Sequence, residues 1–299
     1  MRFFKEIPSY DFIGRRKFAY AFSAALLLLA LVAYALNGVK WGIDFSGGVL
    51  VQARFAAAPP LSEIRSKLTE EFGNGVNVTS FGEANDHEVL INLPMEVMTH
   101  HGAKLQEAMT SLLKTHFPSF AEVRRVEAVG PKVGAELKVK AIEAGLFTLA
   151  GILLYVGVRF RFSYAIGAVA ALFHDVLITM GFFFLLGKEF DLTIVAAMLT
   201  IMGYSLNDTI VVFDRIRENV ARLPKSHLAN TINLSVNETL SRTILTSGTT
   251  LIVVVAMFTF GGQIIHDFCF AMLIGLFVGT FSSIFVASPL MLALEKRFA

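Results

Sequence analysis

The chain has 299 residues, 55% of them hydrophobic and 17% charged, with 28 Phe and a formal charge of +2. A soluble chain carries about 25% charged residues, so this composition excludes a disordered protein, a disulfide scaffold and an ordinary cytosolic enzyme, and the small net charge gives no argument for nucleic acid. Cys269 is the sole cysteine and lies in an apolar run, which leaves no internal disulfide and no cysteine metal site.

The apolar runs predict a polytopic α-helical membrane protein with six transmembrane helices. A bilayer core of about 30 Å needs roughly 20 apolar residues per helix. A polar tail, residues 1–17, precedes the first span, Phe18 to Leu36. Arg15 to Lys17 with Ala33-Tyr34-Ala35 also fits a signal peptide. The stretch is long for one, and an uncleaved anchor is expected. A soluble insert, residues 37–140, comes next. The remaining spans fill residues 141–294: Ala141 to Val158, Phe162 to Leu186, Leu192 to Phe213, Thr243 to Phe260 and Phe268 to Leu294. Residues 295–299 form a short C-terminal tail.

Lys and Arg fix the expected orientation. Arg2, Lys5, Arg15, Arg16, Lys17, Arg159, Arg161, Arg215, Arg217, Arg222, Lys225, Arg242, Lys296 and Arg297 fall on one side, and only Lys188 lies in the short loops opposite. Both termini are therefore expected in the cytoplasm, with the insert translocated. Between spans four and five, segment 214–242 carries Ile216, Val220 and Leu223 on one face; Pro224 breaks the run, and Leu228, Ile232, Val236 and Leu240 resume it. That pattern predicts short amphipathic elbows at the interface, either transmitting motion or merely linking.

The insert reads strand, helix, strand, strand, helix, strand. Val49 to Phe55 alternates, and Pro59-Pro60 precede a helix over Leu61 to Phe72 with Ser62 as expected N-cap. Val76 to Phe81 and Glu88 to Leu93 flank a polar turn from Glu83 to His87. A helix over Gly102 to Phe117, with Leu105, Met109 and Leu112 on one face, precedes a strand from Phe120 to about Val126. This order is the α+β ferredoxin-like arrangement, which hosts many functions and decides none. His100, His101 and His116 have no metal-ligand spacing, and solvated surface is expected for them.

Ionisable residues inside a span are costly and are functional candidates by default. Asp208 lies in the run Ser205-Leu206-Asn207-Asp208-Thr209, six residues before Asp214 and so about 9 Å inside the cytoplasmic boundary. Asp175, after His174, lies near the middle of span three, and Arg242 stands at the mouth of span five. Thr193, Ala197, Thr200, Tyr204 and Asp208 form one small or polar stripe on span four. Thr243, Thr246, Ser247, Gly248, Thr249 and Thr250 line span five, and Gly275, Gly279 and Ser283 recur at four-residue steps on span six. Asp208 has two readings. It is a structural carboxylate satisfied by Arg242 reaching inward, or it is a titrating relay, since low dielectric favours a neutral carboxyl and a nearby cation an ionised one. Asp175 and His174 fit packing or hydrogen bonding as well as they fit a relay.

No phosphate loop, H-E-x-x-H or G-x-S-x-G occurs, so no enzymatic activity is expected. Two membrane aspartates invite comparison with an aspartyl protease dyad, but the flanks lack G-x-G-D. The sequons at Asn77, Asn207, Asn233 and Asn237 read as chance.

Several runs are more specific. They are Trp41 to Gly48 (WGIDFSGG), Val129 to Leu137 (VGPKVGAEL), Tyr204 to Asn219 (YSLNDTIVVFDRIREN), Ser241-Arg242-Thr243, and Thr246 to Thr250 (TSGTT). In this order, with six spans and an insert after the first, the chain resembles the SecF members of the SecD–SecF protein-export family, within the resistance-nodulation-division superfamily. The resemblance covers essentially the whole chain. It implies protein transport driven by the proton gradient, late in the export of preproteins across the bacterial inner membrane, with the insert periplasmic. It implies a SecD chain as partner in trans, the SecYEG channel, YajC and preprotein substrates as further partners, SecA as a functional one, and membrane lipid around the spans. It matches Asp208 and Arg242 to the family's proton-conducting aspartate and its arginine. Asn207, Asp175, His174 and Thr246 are expected as relay or packing support, and Asp44, Gly47, Gly48, Gly130 and Gly134 as hinges, because glycine tolerates unusual backbone angles. No cofactor and no metal is expected; protons are the coupling ion, with sodium an open alternative. A small-molecule exporter of the same superfamily and a passive translocon scaffold are the competing readings.

Overall fold

The computed structural model describes residues 6–82, 86–223 and 227–298. Arg2, Lys5, Pro224, Lys225 and part of the Glu83 to His87 turn, all invoked above, lie outside them. The chain divides into two compact units, Trp41–Ile142 and the described residues of Met1–Lys40 with Glu143–Ala299.

The first unit holds helix α2 (Ile43–Ser46), strand β1 (Gly48–Phe55), α3 (Leu61–Phe72), β2 (Asn77–Phe81), β3 (Glu88–Leu93), α4 (Met95–His101), α5 (Leu105–His116) and β4 (Phe120–Val129). The strands are all antiparallel in spatial order β2-β3-β1-β4, with Val51 facing Ile91 on β3 and Val126 on β4. This is the ferredoxin-like order. Val49, Val51, Ala53 and Phe55 alternate onto one face of β1 and meet Ile64 and Leu68 of α3 and Leu105, Met109 and Leu113 of α5. Burying each large apolar side chain contributes about 1.5–3 kcal/mol. On β1 the alternate position Gln52 bonds Glu88 at 2.6 Å, and Arg124 pairs with the same carboxylate at 2.7 Å.

Local details differ from the sequence expectations. Pro60, not Ser62, is the N-cap of α3, and it caps without a side-chain bond. Gly102, at φ 54°, ends a helix that the sequence reading left unassigned, so α4 is a separate element, and the helix expected from Gly102 begins with a 3₁₀ turn, Gly102–Lys104. The fully buried face of α5 ends on Leu113, four residues after Met109, while Leu112 is partly buried beside it. His100 and His116 are exposed, but His101 bonds the Val97 carbonyl and packs edge-on against Phe72. Among the described residues no group of three His, Cys, Asp or Glu is placed to hold a metal.

Among the described residues six helices are long and apolar enough to cross a membrane. They are α1 (Arg16–Asn37), α6 (Pro131–Arg159), α7 (Phe162–Leu186), α8 (Leu192–Arg222), α9 (Leu228–Phe260) and a sixth in three parts: α10 (Gln263–Ser282), a π-helical turn (Ser283–Ala287) and α11 (Ser288–Phe298). In the sequence only Pro289 marks this break, since it donates no backbone hydrogen bond and crowds the carbonyl four residues back. The π turn accommodates it, and the Ser288 hydroxyl donates to the Ser283 carbonyl at 3.0 Å.

The amphipathic elbows do not exist as separate elements. The first half is the end of α8 and the second the start of α9. Their apolar residues, Ile216, Ile232, Val236 and Leu240, are buried against each other in the core of the helical unit. Asn233 and Asn237, which read as chance sequons, hold the N-terminal tail. Asn237 accepts from the Tyr10 amide at 2.9 Å and donates to the Tyr10 carbonyl at 2.8 Å, and Asn233 accepts from the Phe12 amide at 2.8 Å. Helix α1 joins the bundle against α7, where a side chain at Gly181 would meet Ala30 at 2.3 Å.

Candidate functional site

Small residues bring α8 and α10 together. A Cβ at Gly275 would lie 2.4 Å from Ile201, and one at Gly279 would lie 3.1 Å from Ser205. This is the close-packing seam expected from the four-residue steps. Close approach puts short hydroxyl side chains within reach of two carboxyls deep in the bundle.

Asp175 of α7 has no exposed surface. One of its oxygens, Oδ2, accepts from Ser205 of α8 at 2.5 Å and from Ser282 of α10 at 2.7 Å. The other, Oδ1, lies 2.9 Å from His174 Nδ1. One carboxyl thus joins three helices. His174 is buried too, its ring stacked near that of Phe281.

Asp208 of α8 is 4% exposed. Thr243 of α9 donates to Oδ1 at 3.1 Å, and Ser283 of the π turn approaches Oδ2 at 3.5 Å. Hydroxyl hydrogen bonds normally measure 2.5–3.0 Å, so both contacts are long. Ser283 also lies 3.0 Å from the Thr280 carbonyl, and its single proton can serve only one of the two.

The direct Asp208–Arg242 pair expected from the sequence is not formed. Arg242 is exposed, and it reaches Asp208 only through space, whereas the neighbouring Thr243 makes the contact. A helix explains this: consecutive residues point about 100° apart, so Thr243 and Arg242 cannot both face α8. Asn207 and Thr246 are likewise exposed, and Thr246 bonds the Arg242 carbonyl at 2.9 Å. With Thr193, Thr200 and Thr249 they make an outward polar face on α8 and α9. Ser205, Ser282, Ser283 and Thr243 are the partners that hold the carboxyls. Spacing marked Ser283 and Thr243 only as small or hydroxyl residues, and nothing singled out Ser282.

The glycine motifs of the other unit meet each other. A Cβ at Gly134, near the start of α6, would lie 3.2 Å from the Gly47 amide and the Phe45 carbonyl, and one at Gly47 would lie 3.0 Å from Pro131. Gly47 and Gly48 adopt φ of 72° and 133°, conformations only glycine takes easily. Asp44 lies in the short α2, and Gly130 has open space around it.

Residues 108–297 match the family described as "Protein export membrane protein SecD/SecF, C-terminal", and residues 35–58 match the "SecD/SecF GG Motif". The chain belongs to the SecD/SecF family. Its similarity is to the SecF side: it is 44% identical to the protein translocase subunit SecF of Desulfurispirillum indicum, over 96% of this chain and 92% of that one. It is 47% identical to the SecF subunit of Magnetococcus marinus, over 99% and 95%. The crystal structure of SecDF from Thermus thermophilus, a translocon-associated membrane protein, matches with a TM-score of 0.87 at 37% identity. That match covers 97% of this chain but 39% of the SecDF chain. A super-membrane-facing form of SecDF matches over the same shares with a TM-score of 0.69. Membership in this family and six apolar helices make the chain a multi-pass membrane component of protein export.

Proposed function

We propose that this chain acts with a SecD subunit to promote the late stage of preprotein export through the SecYEG channel, using the proton gradient across the bacterial inner membrane. YajC and SecA belong to the same proposal, as does an orientation with both termini cytoplasmic and the ferredoxin-like unit periplasmic. The observation that carries it is Asp208, a buried carboxyl held by two long hydroxyl contacts, with a cation near enough to act on it but not bonded to it.

Such a carboxyl can gain and lose a proton without breaking strong bonds. Ionised, it accepts hydrogen bonds from Thr243 and Ser283. Neutral, it releases them, and α8 is then free to shift against α9 and the π turn. Each proton crossing about 100 mV supplies about 2.3 kcal/mol, enough to bias a two-state equilibrium about fiftyfold. Helix α6 runs without interruption from Pro131 to Arg159 and, with the chain after α1, is a covalent route by which such a shift reaches the first unit. In this scheme Gly130 is the turning point, while Gly47 and Gly134 form a packed joint. The outward polar face of α8 and α9 meets the SecD half, since polar groups on a spanning helix face protein or water rather than lipid.

Export of a secreted reporter in cells carrying Asp208→Asn tests the reading. Slow export with normal accumulation and SecD binding is expected. Normal export contradicts the relay and makes the chain a scaffold. Impaired drug efflux with intact secretion makes it a small-molecule exporter, and a defect that follows sodium rather than protons changes the coupling ion.

A further inference from the structure

We propose that Asp175 is a positioning residue for Asp208: a fixed carboxyl that sets both walls of the proton site. The inference rests on the reading of Asp208 as the proton carrier. Asp175 touches α8 through Ser205, which precedes Asp208 by three residues and so lies on the same side of the helix one turn away. It touches α10 through Ser282, which immediately precedes Ser283. Consecutive residues diverge around a helix, and here the divergence is used. Ser282 turns to α7 and Ser283 to α8, so holding one hydroxyl places the other.

The distances show why placement matters. Both serine contacts of Asp175 are short, at 2.5 and 2.7 Å, whereas Ser283 stands 3.5 Å from Asp208. At 3.5 Å a hydroxyl contact is at the edge of forming. A few tenths of an ångström in the π turn decide whether Ser283 donates to Asp208 or to the Thr280 carbonyl. The register of that turn is therefore a control on how strongly Asp208 holds its proton, and Asp175 sets the register. His174 completes the anchor by occupying the remaining carboxyl oxygen. The charged or titratable groups around Asp208 are Arg242 from α9, acting through space, and Asp175 with His174 from α7, acting through the serines; the π turn presents hydroxyls.

The test is the pH profile of export in membrane vesicles holding the full chain with its SecD partner. Asp175→Asn is expected to move the midpoint by about one pH unit, a tenfold change in proton affinity. Ser282→Ala, a milder change that removes one anchoring bond, is expected to move it the same way by less. In an Asp208→Asn background neither change has a further effect on the profile, because both act through Asp208. An unshifted midpoint in protein that assembles normally overturns the inference and leaves Asp175 as packing. So does an effect that persists undiminished beside Asp208→Asn. If Asp175→Asn fails to accumulate, Ser282→Ala alone decides by the same criteria. A profile insensitive to Asp208→Asn removes the proton reading itself, and the positioning role with it.

Discussion

Two carboxyls sit in one helical unit, are both buried, and are held in opposite ways. Asp175 accepts two serine protons at short distance, faces a histidine, and ties α7, α8 and α10 together. Asp208 has one hydroxyl at 3.1 Å, another at 3.5 Å, and a cation that does not bond it. Burial alone therefore does not identify a transport residue. On the reading proposed above, one intramembrane aspartate is a bolt, where its hydroxyl bonds are short, and the other a carrier, where they are long enough to be exchanged.

The contrast can be broken by measurement. Asp175→Ala leaves Ser205 and His174 buried without their partner, at about 1–3 kcal/mol for each group left unsatisfied, and leaves Ser282 only the Gly279 carbonyl at 3.1 Å. Unfolding of the purified protein in detergent should show a loss of about 3 kcal/mol or more, and Asp208→Ala should lose about 1 kcal/mol. Equal losses would erase the distinction. The α8–α10 spacing serves both carboxyls, and Gly275→Leu forces a side chain against Ile201. A destabilisation of about 1–3 kcal/mol is expected, with export falling in proportion to folded protein. Asn237→Ala sharpens the comparison from outside the site: it removes two bonds to the Tyr10 backbone, costs about 1 kcal/mol, and makes the N-terminal tail a target for limited proteolysis while the pH profile of export is unmoved. Arg242→Gln is expected to change stability by less than about 0.5 kcal/mol, because the side chain is exposed and makes no ion pair with Asp208, yet to slow export by altering the field at Asp208. A large stability loss there would mean that the arginine is a structural partner after all.

Much of this was legible in the sequence. Alternation from Val49 to Phe55 and the apolar periods around it specified the ferredoxin-like order, because the two periodicities differ and each element is long enough to show its own. The costliest residues, Asp175 and Asp208, were visible for the same reason that they are rare. Their partners were not. A serine in an apolar run is unremarkable until the helix crossing that brings it to a carboxyl is known, so Ser282 carried no signal. Nor did spacing reveal that Thr243, rather than Arg242, faces α8; that depends on helix rotation, which a charge-pair argument ignores. The amphipathic stripe from Ile216 to Leu240 gave the right face and the wrong element, since a stripe of that period is the same on a surface helix as on the extended ends of two packed ones.

The central claim is that Asp208 is the carboxyl that exchanges its proton, while Asp175 positions it through Ser205 and Ser282. Infrared difference spectroscopy of the full chain with its SecD partner, recorded through a pH titration, tests it directly. A protonated-carboxyl band that appears with falling pH, is absent in Asp208→Asn and survives in Asp175→Asn at a shifted midpoint is the predicted result. A band that survives Asp208→Asn and disappears in Asp175→Asn would reverse the assignment of carrier and bolt.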